Sequence, residues 1–476
     1  MILGAGLTGL SAAYHLPLSA PFQLIEARAE VGGHARSHRE RGHTFDVTGH
    51  WLHLRDPRTK ALLATLFAAE DWVEVERNTK IHAQGALLEY PFQANLYGLP
   101  LPVVQECLLG LVEAQRAVAR GEAWALNPGN FEDYATARFG AGIARHFFVP
   151  YNTKLWGMHP NLLAPEYVRR FVPEPDPAQI IAGAIGLRQT GLGYNARFSY
   201  PRAGGIDALP KALGAVLLAR AEASEGASAL RTSTSVEEVD PAGRRVKLTG
   251  EADWTPYGAL ISTIPLPELI ARTRGVPPAV REAAAALRWV RWRYLDVATK
   301  SPIPADWHWV YVPEARFPFF RVGAYSNAVA SMAPAGAASL YVELDDRDAA
   351  PDLPAIAASL VEIGALAHTE DIRFCRTRDV EYAYVVFDDA HGPATATIFS
   401  WLTQVGLRSC GRYGAWIYNS MEDSMLSGLA AAQWASGHED QAAATEASAR
   451  RLAGARAPDP SSSPNPGSNS KPGRSS

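Results

Sequence analysis

Three glycines near the amino terminus constrain this chain more than any other feature. Gly4, Gly6 and Gly9 form a G-x-G-x-x-G turn between an apolar stub, Met1–Leu3, and a segment of helical spacing, Leu7–Leu16, that Pro17 stops. The first glycine permits a tight turn. The second lets backbone approach a pyrophosphate, and the third allows close packing of helix on strand. The helix start at Leu7 and Thr8 offers N–H groups and a positive dipole end to phosphate. A second apolar strand, Phe22–Glu26, ends in an acid. Glu26, with Ala27 beside it, is placed to meet the ribose of an adenosine, and a carboxylate there disfavours a 2′-phosphate. The order strand, turn, helix, strand reads as a β-α-β unit. Three residues are few for a first buried strand, so the strand is expected to be clipped or to start upstream.

A second glycine pair follows. Residues 27–37 read Ala-Arg-Ala-Glu-Val-Gly-Gly-His-Ala-Arg-Ser, and Gly32 and Gly33 again let backbone approach a ligand. This run resembles the E-x(5)-G-G-x-x-x-S/T segment that follows the ribose acid in many FAD-dependent oxidoreductases. NAD dehydrogenases seldom have it. FAD is therefore the expected cofactor, with His34, Ala35 and Val236 assigned to it. Near the other end lies Gly-Arg-Tyr-Gly-Ala-Trp-Ile-Tyr, residues 411–418, then Ser-Met-Glu-Asp, residues 420–423. Ser420 is a helix cap with Asp423 at N3. Arg412, Met421, Glu422 and Asp423 are expected to close the cofactor site from this side.

Composition excludes several classes. Lys and Arg total 45 against 49 Asp and Glu, a net charge of -4, which argues against nucleic acid or an acidic membrane held by bulk charge. The three cysteines, Cys107, Cys375 and Cys410, are odd in number and far apart, so neither a disulfide scaffold nor a thiolate zinc site is expected. His50 and His53 stand i, i+3 without an obvious third ligand, and no metal is expected. No apolar run reaches the length of a membrane span. The amino terminus lacks the positive region of a signal peptide, since Arg28 is the first basic residue, and a cytoplasmic protein is expected.

The 476 residues allow two to four domains. Residues 91–199 read as mainly helical, with Asn130 capping a stripe of Phe131, Tyr134, Phe139, Ile143 and Phe147. Strands return at 232–239, 245–248 and 258–263. Residues 290–345 and 372–400 alternate apolar and polar and read as an antiparallel sheet. The expected fold class is α/β. A Rossmann-like FAD domain is built from 1–90, 200–270 and 405–436, with a helical insertion at 91–199 and a six-stranded or similar antiparallel substrate sheet within 271–404. Residues 437–476, rich in Ala, Ser, Pro and Gly, are expected to be a disordered tail. The proline-rich stretch 157–179 is a candidate closing loop.

The ordered segments GAGLTGLSAAYHL, EVGGHARS, FDVTGHWLHLRDP, YNTKLWG, GYNARFSYPRAGG, STIPLPEL, FPFFRVGAYSN and GRYGAWIYNSMED resemble those of the UDP-galactopyranose mutase family, over most of residues 1–436. The first two are shared with amine oxidases and protoporphyrinogen oxidases. The resemblance implies a redox-neutral pyranose–furanose interconversion, in which reduced flavin N5 attacks the anomeric carbon and UDP departs. It implies a nucleotide-diphosphate sugar as substrate, with NADH or NADPH as candidate reductants. It places Arg321 on the diphosphate and Tyr311, Tyr384 and Tyr418 around it. Asn195 lies near the sugar, Trp156 by the cleft, and His50 in a loop beside the isoalloxazine. A second diphosphate arginine is not placed, with Arg169, Arg170, Arg197 and Arg202 close in sequence. Ala328 stands where the family has an aromatic. The alternatives are an FAD-dependent oxidase or desaturase of the amine oxidase or protoporphyrinogen oxidase type, and a non-catalytic flavoprotein.

Overall fold

The computed structural model describes residues 1–165, 172–189, 196–224 and 228–452. A five-stranded parallel sheet gathers segments from the whole length of the chain. Its spatial order is Leu407–Ser409, Leu260–Ser262, Ile2–Leu3, Gln23–Ile25 and Ala229–Arg231. Such a sheet is covered on both faces, so its strands read as apolar runs rather than alternating ones. Ile2, Leu3, Leu24, Leu260 and Ile261 are accordingly all buried. The first strand has only two residues and lies at the sheet's centre.

The helix Leu7–His15 leaves the glycine turn and packs against the helix Met421–Ala435 from the far end of the chain. Gly428 makes this contact close. A Cβ there would stand 2.3 Å from the Thr8 carbonyl oxygen and 2.7 Å from Ser11 Cβ. The Ser11 hydroxyl donates to the Met425 carbonyl at 2.6 Å across the same interface.

The larger sheet differs from expectation in size and parentage. It has seven strands, in the order Ile372–Val385, Trp289–Thr299, Ser339–Leu344, Phe319–Ala324, Trp309–Tyr311, Thr79–Ala83 and Ala86–Glu89. Trp309–Tyr311 runs parallel to Thr79–Ala83, and the other pairs are antiparallel. The last two strands come from residues assigned by sequence to the cofactor domain. A local pattern marks a strand but not its partner, which is why the boundary at 90 misplaced them. Residues 391–400, read as strand, belong to the helix His391–Gln404. Its buried side chains, His391, Ala394, Ile398, Trp401 and Leu402, follow a helical period rather than an alternating one.

Two further readings need correction. The stripe from Phe131 does begin a helix capped by the Asn130 side chain, which accepts from Asp133 N–H. Gly140, at φ +88°, ends it, because the chain there presses on the backbone of Gly110 in the helix Leu101–Ala119. The expectation of disorder from 437 also fails for its first part. Glu439–Leu452 is a helix that buries Ala442 and Thr445 against Met421–Ala435. Arg58 donates to the Thr445 hydroxyl, and Arg408 pairs with Glu446. No helix among the described residues is long and apolar enough to cross a membrane.

Gly428→Ala is expected to cost about 1–3 kcal/mol, because neither backbone at the contact can retreat without moving a helix. Urea unfolding of the variant against the parent measures it, and equal midpoints would contradict the close contact described here.

Candidate functional site

The glycine turn forms one end of the site from backbone alone. Gly4 has φ +94°, and a Cβ there would meet Thr263 Oγ1 at 2.4 Å. Gly33, at φ +61°, faces Gly6 so closely that a Cβ would lie 3.2 Å from the Gly6 Cα. Gly32 N–H donates to the Ala5 carbonyl at 2.8 Å and locks the two glycine segments together. Gly6 caps the helix Leu7–His15 without a side chain, so the positive helix end faces the cavity bare. Glu26 is pinned beside it. Its Oε2 accepts from Ala5 N–H at 2.8 Å and its Oε1 from Arg28 N–H at 2.9 Å. Two oxygens with about four lone pairs retain capacity for a diol.

From this cradle a cavity of about 700 Å³ runs past the loop Thr48–His50 to the large sheet. Its wall includes Gly4, Gly6, Leu7, Thr8, Glu26, Ala27, Gly32, Gly33, His34, Ala35, Val236, Arg412 and Met421 from the cofactor set. His50, Tyr311, Arg321, Tyr384 and Tyr418 from the substrate set line the same space. Asn195, Arg169 and Arg170 lie outside the described residues, as does part of the proline-rich stretch.

Four assigned residues are not on the wall. Gly9 sits beneath it, where a Cβ would be 1.9 Å from the Gly4 carbonyl oxygen. Trp156 packs edge-on behind Tyr384, with ring centroids 5.4 Å apart, and donates to Asn152 at 3.2 Å. Glu422 is spent on structure, because its Oε1 accepts from Arg55 N–H, Asp56 N–H and the Thr59 hydroxyl. It thereby braces the turn that leads into the helix Pro57–Leu66, which Asp56 caps. Asp423 accepts from Ser420 N–H and hydroxyl in the capping box of Met421–Ala435. Arg197 and Arg202 point elsewhere, to Glu74 and to the Glu70 carbonyl.

Two guanidiniums dominate the electrostatics. Arg321, on the strand Phe319–Ala324, forms a two-pronged pair with the buried Glu343 at 2.5 and 2.6 Å. Burial works against its charge, but Glu343 more than offsets this, and Arg321 stays protonated. Arg412 has a different setting. It donates to the carbonyls of Asn419 and Ala383 and lies 4.4 Å from the Tyr418 ring centroid and 5.0 Å from that of Tyr384. Tyr384 and Tyr418 stack 5.1 Å apart. Burial and the neighbouring Tyr418 push the Tyr384 phenol well above its ordinary range, so it serves as an O–H donor. Both guanidiniums act on Tyr384 and on His50.

Sequence reasoning missed several parts. Arg28, Arg55, Trp51, Trp292, Trp309 and Tyr341 also line the cavity. Glu343 carried a legible signal, a carboxylate inside the otherwise uncharged strand Ser339–Leu344. Lys154, within the YNTKLWG segment, works at a distance. Its ammonium donates to the carbonyls of Glu314, Phe317 and Phe319 at 2.6–3.0 Å, fastening the helix Val149–Trp156 to the chain that enters the Arg321 strand. Burial lowers its pKa to about 8.

The residues fit a flavin dinucleotide on their own chemistry. The cradle admits a pyrophosphate, Glu26 admits a ribose, and His34 and His50 each leave Nδ1 buried without a protein partner at the cavity. Burial, with the charges of His50, Arg28 and Arg412, lowers His34 to about 3, and burial, with those of Arg412 and Arg321, lowers His50 to about 4. Both are neutral at physiological pH. The unfolded chain protonates near 6.5 and the native His50 only near 4, so stability attributable to it falls as pH drops from 6.5 towards 4. His50→Gln should therefore lose less melting temperature than the parent over that interval. Asp46, raised by burial to about 7, acts in the opposite direction in both proteins and cancels in the comparison.

The comparisons agree with this geometry. A model of the NAD(P)-binding Rossmann-like domain matches residues 2–66. A reduced UDP-galactopyranose mutase structure superposes with a TM-score of 0.84 at 25% identity, covering 95% of this chain and 98% of that one. A candidate protoporphyrinogen oxidase from Exiguobacterium sp. 255-15 superposes at 0.65, with 18% identity and coverages of 92% and 98%. Cyclohexylamine oxidase from Brevibacterium oxydans IH-35A superposes at 0.62, with 17% identity and the same coverages. The chain thus shares the overall fold of these flavoenzyme structures, and its amino-terminal segment matches the Rossmann-like model.

Proposed function

We propose that the chain is an FAD-dependent sugar-nucleotide mutase, a cytoplasmic enzyme that interconverts the pyranose and furanose forms of a nucleotide-diphosphate sugar such as UDP-galactose. The observation that carries this reading is the convergence of Arg321, Arg412 and three tyrosines on the cavity that begins at the dinucleotide cradle. When bound and reduced, FAD supplies a nucleophile at N5 for the anomeric carbon.

The chain's own residues do the rest. As the bond between the anomeric carbon and the diphosphate breaks, negative charge grows on the leaving oxygen. Guanidinium N–H groups and protonated phenols are suited to bind that charge, and they act most strongly where water is excluded. Tyr311 is held at the rim by Tyr151 and Tyr90, whose ring centroids lie 5.2 and 5.8 Å away. Trp292 backs Tyr384 at 4.5 Å and lies 5.7 Å from the Arg321 guanidinium. These rings fix the polar groups and keep the pocket dry. In this reading Arg412, which the sequence placed on the cofactor, also serves as the second cation of the diphosphate site.

An oxidase of the amine oxidase or protoporphyrinogen oxidase type would use the same fold and the same aromatic walls. Two buried guanidiniums count against an amine, which is a cation at neutral pH.

Dithionite- or NADPH-reduced protein should convert UDP-galactopyranose to the ring-contracted isomer, resolved by ion-exchange chromatography. Arg321→Ala should lower turnover by about 100-fold or more, the scale seen when one charge-stabilising donor is removed. Undiminished turnover removes Arg321 from the anion site. No sugar product, together with bleaching of oxidised flavin by an amine, selects the oxidase.

A further inference from the structure

Glu343 stands where a carboxylate ought to be a liability. It is fully excluded from solvent, in a strand whose every residue is buried, directly behind a guanidinium assigned above to an anion. Arg321 and Glu343 are cross-strand partners, and a register shift precedes them on the Arg321 strand. Both Glu343 oxygens are engaged, one by Arg321 Nε and the other by Nη2. A guanidinium held by that edge keeps one orientation of its plane and has Nη1 left over for a ligand.

Glu343 is in turn held from the other side. Thr48 lies beside it and favours its charged form. Thr48 is itself unusual, a buried β-branched residue at φ +59°. The Tyr325 hydroxyl donates to the Thr48 carbonyl at 3.0 Å and to that of Asp46 at 2.9 Å, which secures the turn. A strained residue kept by surrounding bonds points to a constraint worth keeping. The chain of contacts runs from Tyr325 through Thr48 and Glu343 to Arg321, and Thr48 opens the loop that carries His50.

We propose that Glu343 is a positioning residue. It sets the plane of Arg321 for a diphosphate, and Thr48 sets Glu343, so that the His50 loop and the anion-binding guanidinium form one rigid unit. This rests on the nucleotide-sugar reading and adds to it a residue that does not itself touch substrate. Simple electrostatics gives the opposite sign, because removing a negative charge beside an anion site should tighten binding.

UDP binding to the FAD-loaded protein, followed by calorimetry, separates the two. Glu343→Gln is expected to weaken UDP by about 10- to 100-fold, the loss of one or two charge-assisted hydrogen bonds' worth of ordering. In an Arg321→Gln background the same change should have no further cost, because Glu343 acts only through Arg321. Thr48→Val, which keeps shape and removes the hydroxyl, should weaken UDP several-fold, and it carries the test if Glu343→Gln fails to fold or to hold FAD. Tighter or unchanged UDP binding in the folded single variants overturns the proposal. So does a Glu343→Gln cost that persists without Arg321. Wild-type protein that loads FAD but ignores UDP overturns the nucleotide-sugar reading instead.

Discussion

The architecture depends on backbone meeting backbone without side chains between. At Gly9 and Gly428 a single Cβ would collide with a carbonyl oxygen and at Gly4 with the Thr263 hydroxyl, and at Gly33 it would crowd the Gly6 backbone. These approaches bring the turn, the second glycine pair and the C-terminal helix within reach of one ligand. Everything the cavity does follows from that proximity. The cradle offers dipoles and N–H groups, the sheet offers side chains, and the glycine contacts hold the two in register.

Much of this was legible because it is local. Glycine spacing, the acid at the end of the second strand, and the Ser420–Asp423 capping box each depend on residues a few positions apart. The misreadings share the opposite property. Thr79–Glu89 looks the same whether it joins one sheet or another. The helix His391–Gln404 contains enough aromatic and β-branched residues to imitate a strand, and only its burial pattern separates the two. The helix Glu439–Leu452 is too polar to fold alone and is stabilised by the surface it covers.

The site divides in the same way. Arg321 and the tyrosines were named by motif resemblance and line the cavity, whereas the nearness of Thr48 to Glu343, 295 positions apart by their numbering, has no local signal. Glu422 shows the converse. A carboxylate in a cofactor-like segment braces the turn before a helix, because three donors from Arg55–Thr59 engage it. Sequence identifies what a side chain offers, and tertiary structure decides which neighbour takes it.

The central strand of the parallel sheet has a temporal consequence. Ile2–Leu3 is flanked by Gln23–Ile25, available early in synthesis, and by Leu260–Ser262, which is translated far later, with Leu407–Ser409 later still. A nascent polypeptide therefore carries an unpaired apolar edge for most of its time on the ribosome. High contact order of this kind slows assembly and exposes the growing chain to mispairing and to chaperone capture.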